Sequence, residues 1–508
     1  MIRADVPSLL GNQRESLATP PIHCERILFW SVKCEAAICP HLDGKMSFLR
    51  RGFRCRAGTF FATSRTLRIV TNVPRMVRSN SGDRPFAGRH LVWIVLFAFA
   101  ARVAVRGYTG EQDFWEHGYR FLFTLAQNIA AGTGISMGGD TLTAFRVPLY
   151  PIFLAVVTFG HHSFLPVLLA QSLIGAGTVL CAALIARQLF GDIAAIIAGT
   201  LTSIYPYYVV HDTALQENCL YTFLLALAVL QLIRVRRSGS VLTAMGGGLA
   251  LGAAVLTRAN LAPFALLAPA WLALCGGSDS VLWWRRVQVA VICAGVAMLT
   301  VAPWLMRSDQ LTGSVTLSTQ SGYFLWLGNN AYTFSRYPQE SIDRSQPVAF
   351  AALSLQEKKE LAALRDNEGL TDEWFRKKAL DYMREHPWRT LDNGFRKVVA
   401  AFDWLPSPRR SFWPSLVYAL SYGPVMILGI WGMWVGRRHW PEHSIFYLQF
   451  ISFAAVTAVY FGHTSYRSYL DVYWMVFAAG VLAAYPSPWA IARRQSAINK
   501  NLMDDHAF

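Results

Sequence analysis

Hydrophobic and polar positions along this chain fall into long blocks rather than short alternations. Apolar runs lie near 91–107, 165–189, 192–210, 218–234, 241–257, 260–275, 287–305, 413–435, 443–461 and 469–485. A helix that crosses a bilayer needs roughly 20 apolar residues. The pattern therefore predicts about ten transmembrane helices and an all-α polytopic membrane protein. An eleventh run, PLYPIFLAVVTFG at 148–160, is thirteen residues long, short for a crossing. Pro148 and Pro151 suit the first turn of a helix, where amide donors are unpaired anyway. This run is read as a juxtamembrane helix on the outer surface.

The polar breaks fix an orientation. Basic loops occur as RVRRSG after Ile233, WWRR after Leu282, GRRHW after Val435 and ARRQ near the C-terminus. Ten spans that start inside place all four in the cytoplasm, as the positive-inside rule demands. Counting 148–160 as a span would reverse the later ones. Two larger polar segments then face outward, from Gly107 to about Phe164 and from Arg307 to about Ser411. The second carries helical signals in SLQEKKELAALR at Ser354 and TDEWFRKKALDYMREHP at Thr371, with Thr371 as the expected N-cap and Pro387 as a boundary. Four regions result: a basic segment 1–89, a transmembrane core 90–306 holding the first outer loop 107–164, an outer helical segment 307–411, and C-terminal helices with a cytoplasmic tail, 412–508.

Composition agrees with the blocks. The 508 residues are 53% hydrophobic and only 15% charged, well under the quarter typical of soluble domains. The formal charge of +16 sits in the first segment and the short loops, so it is assigned to topology and not to nucleic acid. Residues 1–89 hold fifteen Lys/Arg against six Asp/Glu and no long apolar run. They predict either a disordered cytoplasmic tail or sequence upstream of a start at Met46 or Met76, dispensable in both cases. Cys24, Cys34, Cys39 and Cys55 lie there; Cys181, Cys219, Cys275 and Cys293 lie in or beside apolar runs. No CxxC pair points to zinc, and neither a metal nor a cofactor is expected.

Ionisable residues near the outer span ends include Glu111, Asp113, Glu116, Arg146, His211, Asp212, Glu217, Arg258, Arg307, His463 and Arg467. Charges at membrane depth are costly and tend to be paired or functional. Arginines at helix ends also snorkel as simple anchors. Gathering on one face nonetheless suggests one polar site under the outer loops.

Several stretches, in order, make the chain resemble the polyprenyl-phosphate-dependent glycosyltransferases of the GT-C fold, bacterial relatives of protein O-mannosyltransferases and of the lipid A aminoarabinose transferase. They are LAQNIAAGTGIS with TAFRVPLYPIFLA, ARQLFGDIAAIIAGTLTSIYP with LQENCLYTFLLAL, LTRANLAPFALLAP, APWLMRSDQLTGSVTLSTQSGYFLWLGNN and GHTSYRSYLDVYWMVFAAG, spanning about 91–485. The resemblance implies a bacterial inner-membrane enzyme facing the periplasm. It would pass a sugar from a polyprenyl-phosphate donor to an acceptor hydroxyl. It also implies that Arg146, ahead of Pro-Leu-Tyr, holds the donor phosphate, which suits a guanidinium that never deprotonates. Arg258, Arg307 and Arg467 are further phosphate candidates. Tyr150, Trp304, Tyr323 and Trp326 are candidates to stack on sugar or to join the interfacial aromatic belt. An acceptor hydroxyl needs a general base. The first loop offers Glu111, Asp113 and Glu116; it lacks the adjacent Asp-Glu of the O-mannosyltransferases, so Asp113 and Glu116 stay open. Glu217 matches a second acidic position and is expected to orient the acceptor. The rival classes are a secondary transporter or flippase, which would show inverted repeats and polar helices at mid-membrane, and an O-antigen ligase or polymerase.

Overall fold

The computed structural model describes residues 86–138, 141–275 and 281–484. The expectations for the N-terminal segment, its four cysteines and the ARRQ stretch lie outside these residues.

Helix α1 (Phe86–His117) contains one break, at Gly110 (φ 84°, ψ 172°), a conformation glycine enters without steric cost. Past the break come α2 (Arg120–Ala130) and a two-stranded antiparallel hairpin, β1 (Ser136–Gly138) and β2 (Thr141–Leu142). The short apolar run forms α3 (Leu149–Thr158), ten residues long with Pro148 as its N-cap. At 1.5 Å per residue it is about 15 Å long, half a bilayer core. Tyr150 and Leu154 of α3 are buried with Leu122, Leu125 and Phe114, so α2 and α3 form a small platform.

The next elements are α4 (Phe164–Phe190), α5 (Asp192–Ile204), α6 (Pro206–His211), α7 (Asn218–Ser238), α8 (Val241–Thr257), α9 (Ala262–Leu274) and α10 (Trp283–Thr312). The run predicted as one span at 192–210 is thus two helices. Pro206 lacks the N–H needed to continue α5 and instead starts α6. Glycines let α8 and α10 approach closely: a Cβ on Gly248 would meet the Cys293 carbonyl, and one on Gly252 would meet Thr300.

The second polar segment is helical, with α11 (Ser321–Gly328), α12 (Gln346–Ala351), α13 (Leu355–Ala363), α14 (Glu368–Glu385) and α15 (Pro387–Ala401). Ser354 and Glu357 cap α13 reciprocally. One detail differs from the sequence reading. Asn367, not Thr371, caps α14 by accepting from the Leu370 N–H at 3.0 Å, while the Thr371 hydroxyl donates to the Leu364 carbonyl. Pro387 marks a boundary as expected: α14 ends at Glu385 and Pro387 opens α15, because proline at the first helical position gives up a donor that has no partner there. Trp326, Phe375, Leu325, Ala349 and Ala379 give this segment its own core. Helices α16 (Phe412–Gly436), α17 (Trp440–Val459), α18 (Thr464–Arg467) and α19 (Asp471–Ala484) complete the order.

The long helices run between two ends. At one, Arg237 donates to the Gln188 carbonyl (2.7 Å), Arg236 pairs with Glu442 (3.1 Å) and Arg285 donates to the Gly239 carbonyl (3.0 Å). The basic loops therefore meet. At the other end the two large polar segments meet: the Thr319 N–H donates to the Ala144 carbonyl (3.1 Å) and Arg307 donates to Thr143 and Ile135 carbonyls (2.9 and 3.2 Å). Among the described residues, five helical stretches, 88–116, 164–190, 218–238, 283–312 and 412–459, are long and apolar enough to cross a membrane. Large apolar side chains such as Trp93, Phe97, Leu299 and Ile427 face outward, more than half exposed. Apolar exposure on this scale marks a lipid-facing surface, and the protein is a polytopic helical membrane protein.

Candidate active site

A cavity of about 710 Å³ opens at the end where the polar segments meet. Its head is polar and its body is not. Arg146, Glu217, Arg258, Ser318 and Tyr466 line the head. Val255 of α8, Leu266 of α9, and Ala297, Met298 and Val301 of α10 line the body. Leu266 and Met298 are also exposed on the outer apolar surface, so the body opens sideways toward lipid.

Arg146 reaches the head because the segment before α3 is held from two sides. Glu368, the first residue of α14, accepts from the Thr143 hydroxyl, the Ala144 N–H (3.1 Å) and the Thr319 hydroxyl (2.9 Å). Arg307 holds the carbonyls of Thr143 and Ile135 from below. The guanidinium of Arg146 then lies 5.6 Å from the Phe121 ring and 5.3 Å from the Phe324 ring. Its Nε is buried with no hydrogen-bond partner among the described residues. A buried donor without an acceptor is expensive and suits an anion arriving from outside.

Arg258, at the end of α8, is differently provided for. Its guanidinium lies 3.7 Å from Glu217 and donates to the Asn218 side-chain carbonyl at 3.0 Å. Tyr466 and Tyr221 present their rings to it at 4.5 and 5.2 Å. Glu217 is the carboxylate that shares the cavity with both arginines. Tyr119, at the start of α2, stands within electrostatic reach of Glu217, Arg258 and Arg146.

The other predicted residues lie elsewhere. Asp113 pairs with Arg106. Glu116 is exposed and accepts from Gln112 at 2.8 Å, and Glu111 accepts from the Trp115 indole at 3.0 Å. Arg307 spends its donors on the two loop carbonyls and lies over the Trp304 ring at 5.0 Å. Arg467 is fully buried between the Tyr418 hydroxyl (2.6 Å), Asp471 (3.4 Å) and the Tyr422 ring (3.5 Å). Tyr150 lines the cavity, whereas Trp304 donates to the Leu317 carbonyl and Tyr323 and Trp326 belong to the second segment's core. Among the described residues no group of three or more His, Cys, Asp or Glu is placed to hold a metal ion.

Sequence reasoning passed over Tyr466, Phe324 and Asn218. Tyr466 and Arg467 are neighbours on α18, about 100° apart around the helix, so only one of them can face the cavity, and it is the tyrosine. Reasoning also passed over Arg102 and Arg106. Their i, i+4 spacing inside an apolar run was a readable signal. Arg102 forms a buried pair with Asp212 at 2.8 Å.

Comparison with known proteins gives this site a context. Residues 146–306 match the family of dolichyl-phosphate-mannose-protein mannosyltransferases. The match begins at Arg146 and takes in Glu217 and Arg258. No curated protein matches the chain. Among solved structures, it is similar to the oligosaccharyltransferase AglB of Archaeoglobus fulgidus, in complex with an inhibitory peptide and a dolichol-phosphate. Identity is 14%, the TM-score is 0.46, and the match covers 82% of this chain and 52% of AglB. The chain thus spans about half the length of that relative. It is also similar to ArnT of Cupriavidus metallidurans bound to undecaprenyl phosphate, at 13% identity and a TM-score of 0.37, over 77% of each chain. The resemblance to GT-C glycosyltransferases therefore reappears in the family match.

Proposed function

We propose that this protein is a membrane glycosyltransferase that moves a sugar from a polyprenyl-phosphate donor to an acceptor hydroxyl at the outer face of a bacterial inner membrane. The observation that carries the reading is Arg146: a guanidinium with an unpartnered buried nitrogen at the head of an apolar groove open to lipid. An isoprenoid tail fits the groove, and its phosphate then meets Arg146. Sidedness is supported by the basic loops, which gather at the end opposite the cavity head.

The chemistry follows from the head. The acceptor oxygen attacks the anomeric carbon while the bond from that carbon to the phosphate oxygen breaks. The acceptor proton passes to a carboxylate, and the charge released on the leaving phosphate is taken up by Arg146 and Arg258. Glu217 is the carboxylate best placed to take the proton, ahead of Asp113 and Glu116, which face other partners. Glu217 stands 3.7 Å from the Arg258 guanidinium. A donor phosphate would compete with Glu217 for Arg258, leaving the carboxylate free to meet the acceptor hydroxyl. All these charges sit at one end of the bundle, which supports an enzyme working on one leaflet over a transporter.

The test is transfer by purified protein in liposomes supplied with a panel of radiolabelled polyprenyl-phosphate sugars and an envelope extract as acceptor. Label should move from one donor in wild type, and at least tenfold more slowly in Arg146→Ala at limiting donor. Label that moves equally in both would refute the phosphate assignment. Donor accumulating across the bilayer with no transfer would replace the enzyme by a flippase.

A further inference from the structure

Helix α15 has three faces. Gly394, Lys397, Ala400 and Ala401 are buried against the protein. Arg389, Asp392 and Arg396 form a charged flank, with Arg396 stacked over Phe334 at 4.1 Å. Between flank and buried face runs an apolar stripe, Trp388, Leu391, Phe395 and Val399, spaced by three, four and four residues and 52 to 81% exposed. A stripe that follows the helical period is one continuous surface.

The depth of this helix is fixed. Lys397, fully buried, donates to the carbonyls of Val459 and Tyr460 (3.2 and 3.0 Å), where α17 ends, and to the Gly328 carbonyl and Asn329 side chain (3.1 and 3.2 Å), where α11 ends. The C-terminal ends of helices carry partial negative charge that a cation satisfies. Gly394 faces Ala458 of α17. So α15 is pinned at the level where an apolar crossing stretch terminates. The chain then passes through exposed Trp404 to Phe412 and Trp413, which open the outward face of α16.

We infer that α15 is an interfacial helix, its apolar stripe seated in the acyl–headgroup boundary of the bilayer and its charged flank toward water. The occupant is lipid because the stripe is continuous with the apolar surface of α16 and lies level with the end of α17, and because an aromatic at its start matches the aromatic belt of membrane interfaces. One consequence reaches the cavity. Lys397 ties α15 to α11, and α11 carries Phe324 against Arg146, so the lipid surface supports one wall of the candidate site.

The inference does not depend on the transferase reading, and its test does not use activity. Single cysteines at Leu391 and Phe395, and at Arg389 and Gln356 as water-facing references, are introduced into the full chain with its native cysteines replaced. Each is labelled with an environment-sensitive fluorophore in phosphatidylcholine liposomes; variants that elute as wild type are compared. Brominated acyl chains should quench 391 and 395 about threefold more than 389 and 356, and aqueous iodide should do the reverse. Iodide quenching 391 and 395 as strongly as 356 overturns the inference. So does shielding of 391 and 395 from both quenchers, which would mean that a protein or a second copy covers the stripe.

Discussion

Two charged clusters share the end of the bundle where the large polar segments meet, and they are built on opposite rules. Beside α1, Arg102 and Asp212 pair at 2.8 Å with almost no exposure, and Arg106 pairs with Asp113. Across the platform, Arg146 has two aromatic rings and no carboxylate partner among the described residues, while Arg258 and Glu217 stand 3.7 Å apart over an open groove. Each holds two arginines, but the first has two carboxylates, Asp113 and Asp212, and the second has one, Glu217. The matched cluster is complete without a ligand and serves the fold. The unmatched one has a charge in excess, and that excess is what a phosphate would fill.

If this distinction holds, the largest effect should come from the carboxylate of the unmatched cluster. Glu217→Gln keeps shape and hydrogen bonding but removes the base. Turnover should fall about 10²–10⁴-fold with donor binding nearly unchanged, read by single-turnover transfer alongside donor-binding isotherms. Equal loss in both measurements would make Glu217 a scaffold for Arg258 instead.

In the matched cluster the corresponding change should damage the fold. Arg102→Met leaves Asp212 buried without its partner, a situation that costs about 3–5 kcal/mol. Thermal unfolding in detergent should show a large drop. Arg102→Met with Asp212→Asn should recover most of it, since the uncompensated charge is gone. A single variant as stable as wild type would place Asp212 among the functional acids after all.

Arg146→Ala should do the reverse: stability near wild type, and a loss of about 1.5–3 kcal/mol in donor affinity, tenfold or more. Lysine should restore part of it, supplying charge without the bidentate fork. Glu116→Gln should be smaller still, within about 0.5 kcal/mol in stability and activity, because the side chain is exposed and its hydrogen-bond partner among the described residues is Gln112. A hundredfold loss there would move the base back to the first loop.

The fold was legible because its signal is long. Ten apolar blocks became helices, and the short run at 148–160 was separable by length and by where it left the basic loops. Arg146, Tyr150, Glu217 and Arg258 were also legible, as charges and aromatics beside helix ends. What the sequence could not reveal was direction. Arg307 and Arg467 look like Arg146 in sequence, yet one turns under the loop and the other into the bundle, each toward carbonyls or tyrosines contributed from distant parts of the chain. Glu368 lies 224 residues from the Ala144 N–H it accepts from, and nothing local marks it as the clasp that positions Arg146. Pro387 was legible as a boundary, because a proline cannot continue a helix but can open one.

A matched pair at the surface tests the contrast at the low end of the scale. Glu357 on α13 is matched like Asp212 but stands near water, 2.7 Å from Lys378 and reciprocally capped with Ser354. Lys378, and after it the Ser354 hydroxyl and N–H, hold its carboxyl down at about 2 against an ordinary 4.5. A carboxylate with a lowered value stabilises the fold fully above pH 4.5, and the benefit fades as pH falls through about 2. Solvent screening limits such a pair to about 0.2–1 kcal/mol. Glu357→Gln should therefore lower Tm slightly at pH 7, and the gap to wild type should narrow steadily below pH 4.5. A gap that stayed constant with pH would trace the loss to the cap geometry and not to charge. A gap as large as that of Arg102→Met would mean that pairing at the surface and pairing in the bundle obey one rule, which would remove the contrast between the clusters.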